Sequence, residues 1–99
     1  MPEPKYLPVP ANAESDPAAK EVLRVWAGGN IEYVSITGSL FVDPTAWGHL
    51  LSQIARHVAR AYELNGCHEQ AIALEVIRNK FVEACNDPDR TSGELLEPK

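Results

Sequence analysis

Apolar residues recur at helical spacing in three stretches of the chain, and a β-branched, aromatic run lies between the first and second. Asp16-Pro17 has the form of an N-cap followed by proline at the first helical position, and Ala18, Val22, Val25 and Trp26 follow at helical spacing. A first helix is therefore expected over 17–27, stopped by Gly28-Gly29. Residues 31–37, Ile-Glu-Tyr-Val-Ser-Ile-Thr, favour a strand, and Gly38-Ser39 is a permissible two-residue turn before Leu40-Phe41-Val42. That combination predicts a β-hairpin.

Asp43-Pro44 repeats the cap-plus-proline pattern and opens the strongest helical signal, over 44–65, closed by Gly66. At 100° per residue Trp47, Leu50, Leu51, Ile54, Val58, Ala61 and Tyr62 share one arc, with His49, Gln53, Arg56, Arg60 and Glu63 opposite. A third helix over 68–86 carries Leu74, Ile77, Phe81, Ala84 and Cys85 on one face. The short Gly66 turn makes the two helices antiparallel and pairs Ile54 with Ile77 or Arg78, and Trp47 with Cys85. The expected core centre is Trp47, Leu51, Ile54, Val58, Leu74, Ile77 and Phe81, capped by Trp26. A second apolar group on the third helix, Ile72, Val76 and Val82, lies off the hairpin seam and calls for another cover.

Four prolines within the first ten residues make 1–15 an extended arm. Residues 87–99 show few apolar positions and no period, so they read as a frayed tail. The expected fold class is α+β: a single small domain over 16–86, of order α-β-β-α-α, with a β-hairpin packed on an antiparallel helical hairpin.

Ninety-nine residues suit one domain, and 44% apolar with 23% charged residues is ordinary globular composition. The net charge of -5 opposes nucleic-acid binding, which rests on Lys and Arg neutralising phosphates. No run approaches the roughly 20 apolar residues of a membrane span, and the first residues lack the pattern of a signal peptide. A cytoplasmic protein is expected. Cys67 and Cys85 on one helix would stand roughly 27 Å apart, far beyond the reach of a disulfide. Both are expected as free thiols, Cys85 buried against Trp47 and Cys67 exposed at the turn.

The blocks Glu21-Val22-Leu23-Arg24-Val25-Trp26, Asp43-Pro44 with Trp47-Gly48 and Leu50-Leu51, and Ile54-Ala55-Arg56-His57-Val58-Ala59 through Ala61-Tyr62 carry a resemblance. They resemble a family of bacterial proteins of about this length, mainly alphaproteobacterial, known only as a domain of unknown function. The resemblance runs over residues 7–86. It implies a compact domain standing alone and, since the family has no assigned activity, carries no catalytic or binding residue over to this chain.

The most concentrated polar chemistry is His49, Arg56, His57 and Arg60. Such a stripe is ordinarily a solvated helix face. As a binding site it would grip an anion through the guanidinium groups, with His57 at the border of the apolar arc. Cys67-His68-Glu69 fails as a metal motif, because Ile72 stands where a second histidine would be needed. Gly28-Gly29 and Gly38 do not link a strand to a helix start, as a phosphate loop must, and Ser35, Thr37 and Ser39 lack a nucleophile motif. The arm, through Tyr6, Leu7 and Val9, is expected against its own fold rather than in a partner's groove.

No constellation supplies nucleophile, base and oxyanion donor together, so no catalytic residue, cofactor or metal is assigned. The expected function is a non-enzymatic interaction or small-ligand-binding module. The alternative is a small enzyme or enzyme subunit with an interface site built from His57 and Arg56 or Arg60. The expected partners are a second copy in a homodimer, with the hairpin or the Ile72 and Val76 face near the interface, and an unidentified protein or small ligand; neither nucleic acid nor membrane is expected.

Overall fold

The computed structural model describes residues 6–37, 41–87 and 94–96. The elements in chain order are α1 (Ala11–Glu14), β1 (Leu23–Ala27), β2 (Glu32–Ile36), α2 (Pro44–Leu64), α3 (Gln70–Cys85) and β3 (Glu94–Leu96). The fold is α+β and follows the order helix, strand, strand, helix, helix, with a third strand added.

The helix expected over 17–27 does not form. Its cap chemistry does: the Asp16 carboxylate accepts from Ala18 N–H at 2.9 Å and the Asp16 carbonyl from Ala19 N–H at 3.0 Å. The turn goes no further, because a short helix barely recovers its nucleation cost and Val22, Val25 and Trp26 favour strand. Instead β1 pairs antiparallel with β2, Leu23 opposite Ile36 and Val25 opposite Val34. Gly28-Gly29, read as a helix stop, belongs to the hairpin turn, closed by Gly28 N–H on the Ile31 carbonyl at 2.9 Å. A Cβ on Gly28 would lie 2.8 Å from Tyr33 Cε2 and 2.9 Å from that carbonyl oxygen, so the turn needs glycine for space. The strand over 31–37 is thus real, but its mate precedes it. Phe41 and Val42 are not in a strand, and Gly38, Ser39 and Leu40 lie outside the described residues.

Two further expectations for the ends of the chain are corrected. The proline arm contains one helical turn, α1. The tail contributes β3, parallel to β2 with Leu95 opposite Val34, giving sheet order β1-β2-β3.

The helical hairpin forms as its end signals require. Asp43 accepts from Thr45 N–H at 3.0 Å at the start of α2, with Pro44 in the first turn. Gly66 closes it at a φ of 74°. Cys67 N–H reaches the Tyr62 carbonyl and Gly66 N–H the Glu63 carbonyl, both at 3.0 Å, the paired bonds of a Schellman cap. The Glu63 carboxylate then accepts from Gln70 N–H at 2.8 Å, so a residue of α2 caps the first amide of α3.

The two helices meet through small side chains. Among the described residues only Ala59 and Ala73 are buried, and alanine on both sides lets the backbones approach. The expected core centre does not close around them: Leu51, Ile54, Val58 and Phe81 are exposed, and Trp47, Leu74 and Ile77 half-buried. The physical reason is angular. Ala59 lies about 100° around α2 from Val58, so resting α3 on the Ala55 and Ala59 edge turns the large apolar arc aside. Trp47 instead meets Phe41 edge-on, ring centroids 5.2 Å apart. Trp26 belongs to β1 and not to a capping helix, while Cys85 is exposed and not buried against Trp47. Both cysteines are free thiols. Among the described residues no strand comes within 8 Å of a helix, Cα to Cα, so the expected packing of the β-hairpin on the helical pair is not made within one chain.

Candidate functional site

A groove of about 530 Å³ runs along the α2 and α3 seam. Leu51, Ala55, Leu74, Ile77 and Phe81 give it an apolar floor, and Arg56, Glu75 and Arg78 stand among its walls. Helical spacing explains the arrangement. Leu74, Arg78 and Phe81 fall at i, i+4 and i+7 on one side of α3, and Arg56 flanks Ala59 on the matching side of α2. The groove has the size and the apolar lining of a small-molecule site with a few convergent polar groups. Two guanidinium groups offer five donors each and suit a carboxylate or phosphate.

Of the four residues singled out from sequence, Arg56 lines this groove; His49, His57 and Arg60 do not. All four are exposed. His49 and Arg60 continue the Arg56 stripe by helical angle, while His57 falls on the side of α2 away from α3. The His49 carbonyl accepts from Ser52 Oγ at 2.6 Å, which ties the groove residue Ser52 to the helix backbone. Arg78 was missed as a site residue, although pairing the helices about Gly66 already set it opposite Ile54. Cys67 and His68 lie at the turn, where the His68 ring meets Tyr62 edge-on at 5.6 Å. Among the described residues no group of three or more His, Cys, Asp and Glu could hold a metal ion.

A second hollow, about 490 Å³, lies between the arm and β1. Its guanidinium is already engaged: Arg24 stands 5.7 Å from the Tyr6 ring centroid and 5.9 Å from that of Trp26, within cation–π range. Both Arg24 Nε and Nη2 bond Glu21 Oε2, at 2.9 and 2.8 Å. Tyr6, Leu7 and Val9 line this hollow but are 61%, 86% and 62% exposed, so apart from the Tyr6 ring at Arg24 the arm does not bury itself against the fold as expected.

Comparison with known proteins bears on both surfaces. None of the curated proteins matches this chain. A solved structure described as "a putative pyruvate dehydrogenase" from the photosynthetic bacterium Rhodopseudomonas palustrus is similar at 35% identity and a TM-score of 0.71, covering 95% of each chain. The model of a domain of unknown function, DUF5076, matches residues 6–89, a span that takes in the groove and strands β1 and β2 but not β3. With the match covering most of its length, the chain belongs to this domain-of-unknown-function family.

Proposed function

We propose that this chain is a non-enzymatic small-ligand-binding module whose site is the α2 and α3 groove. The ligand class is a small carboxylate with an apolar body. The observation that carries this reading is the joining of an apolar floor, Leu74, Ile77 and Phe81, to two guanidinium groups, Arg56 and Arg78, in one groove. The floor takes the hydrocarbon and the guanidiniums take the charge. A charge-assisted hydrogen bond contributes roughly 1.5 to 3 kcal/mol, or about tenfold in affinity or more.

Isothermal titration tests this with octanoate as the probe. Saturable binding, weakened about tenfold or more by Arg56→Ala and by Arg78→Ala, is the expected result. Binding that ignores both substitutions, or no binding at all, contradicts it.

The name of the solved neighbour belongs to that protein, yet it favours a second reading for this chain, an enzyme subunit, for which His57 with Arg56 or Arg60 would be the residues to test. The same titration run with pyruvate separates the two. Turnover that His57→Ala abolishes while binding persists favours the subunit.

A further inference from the structure

Apart from the hollow that Leu23 and Val25 share with the arm at the β1 edge, two apolar surfaces of this chain meet no other strand or helix of it among the described residues. The first is one face of the sheet. The antiparallel register sets Leu23 opposite Ile36 and Val25 opposite Val34, and the parallel register sets Leu95 opposite Val34. Alternation puts these five residues on one face, where Val25 and Leu95 are 56% and 61% exposed. Tyr6 meets the opposite face, through Arg24. The second surface is the side of the helical pair away from the groove. Counting 100° per residue from the contact points Ala59 and Ala73 places Ile54 and Val58 of α2 and Ile72 and Val76 of α3 on that side. All four are exposed, from 37% at Ile54 to 62% at Val76.

A sheet with one apolar face and a helical pair with one apolar side are the two layers of a single hydrophobic core. Within one chain they stay apart. We propose that two copies supply the layers to each other: the sheet face of each protomer covers the Ile54, Val58, Ile72 and Val76 side of its partner, making an interlocked homodimer. A second copy fits because every chain carries both surfaces once, so a single twofold axis closes both contacts together.

The surface area agrees. The whole chain exposes 8869 Å², where a compact fold of 10.9 kDa exposes roughly 5,600 Å². That excess, to which the exposed arm and the open groove also contribute, exceeds the roughly 800 Å² per partner of a standard interface. The radius of gyration of 15.5 Å, against roughly 13 Å for a compact chain of this length, points the same way. Arg56 and Arg78, on the other side of the helical pair, stay open in this assembly, while Leu51 of the groove floor lies about 20° around α2 from Val58 and borders the covered side.

Cross-linking tests the pairing. Val25→Cys chains and Val58→Cys chains, each with Cys67→Ser and Cys85→Ser, are co-expressed and treated with a short bis-maleimide. A covalent dimer in the mixture, and in neither variant alone, is the expected result, since Val25 of the sheet then faces Val58 of the other copy. Efficient cross-linking of Val58→Cys alone overturns the pairing in favour of helix against helix. No cross-link in the mixture, with a mass by light scattering near 22 kDa, overturns it as well. A mass near 11 kDa for the unsubstituted protein overturns the dimer itself, whether or not the variants fold.

Discussion

Asp43 shows how much one side chain contributes at an element boundary. Its carboxylate accepts the Thr45 backbone N–H and also bonds the Thr45 side chain, and these bonds hold its pKa below the ordinary value of 3.8. A carboxyl depressed by folding contributes stability that is fully present above its unfolded pKa and lost as pH falls through its folded one. Acid titration of the folded protein, followed by circular dichroism, should therefore show part of its stability loss below about pH 4. Asp43→Asn should remove that part while retaining the helix, because asparagine also caps well but does not titrate in this range. An unchanged acid limb in Asp43→Asn would mean that the cap does not couple to folding. This boundary was legible in the sequence because an N-cap is a local code, as was Gly66, whose φ of 74° suits glycine. The groove was legible only by half. Arg56 stood out as part of a charged stripe, but Arg78 becomes a site residue only through its place opposite α2, which composition does not reveal.

At the scale of elements, local code and pairing competed in the first third of the chain. Asp16-Pro17 and the spacing of Val22, Val25 and Trp26 spell a helix, and the Asp16 turn forms. Five residue pairs with Glu32–Ile36 then decide in favour of strand, a long-range term that no local window contains. The same limit hid β3, whose three residues are a strand only because β2 offers an edge. The helical hairpin, with strong signals at both ends of α2, was read correctly, but one of its fastenings was not: the Glu63 carboxylate accepts Gln70 N–H from seven residues away. Loss of a helix cap costs about 1 kcal/mol. Glu63→Ala should lower unfolding stability by roughly that amount in urea and speed amide exchange in the first turn of α3. Glu63→Gln, which keeps an acceptor, should lose less. Equal stability of Glu63→Ala and the parent protein would remove the cap from the account of this turn.

For the whole molecule, the residues that should form a centre are present and mostly uncovered. Ile54, Val58, Ile72 and Val76 are exposed on one side of the helices, and Val25 and Leu95 on one face of the sheet. The amphipathic patterns of α2 and α3 were legible in the sequence, including the surplus stripe Ile72, Val76 and Val82, while that of residues 17–27 was not. What the sequence cannot specify is which apolar face meets which, because alanine contacts between α2 and α3 turn the larger arc outward. A chain this small buries a limited share of its surface and depends on a second layer from elsewhere. If that layer is another copy, folding and association are one equilibrium, and stability depends on protein concentration. The thermal unfolding midpoint measured across a hundredfold range of concentration tests this most directly. A shared core predicts a midpoint that falls on dilution, since a hundredfold dilution removes about 2.7 kcal/mol from a dimer, equivalent to a downward shift of roughly 5 °C or more. A midpoint constant over the whole range would contradict it and show that each chain closes its own core.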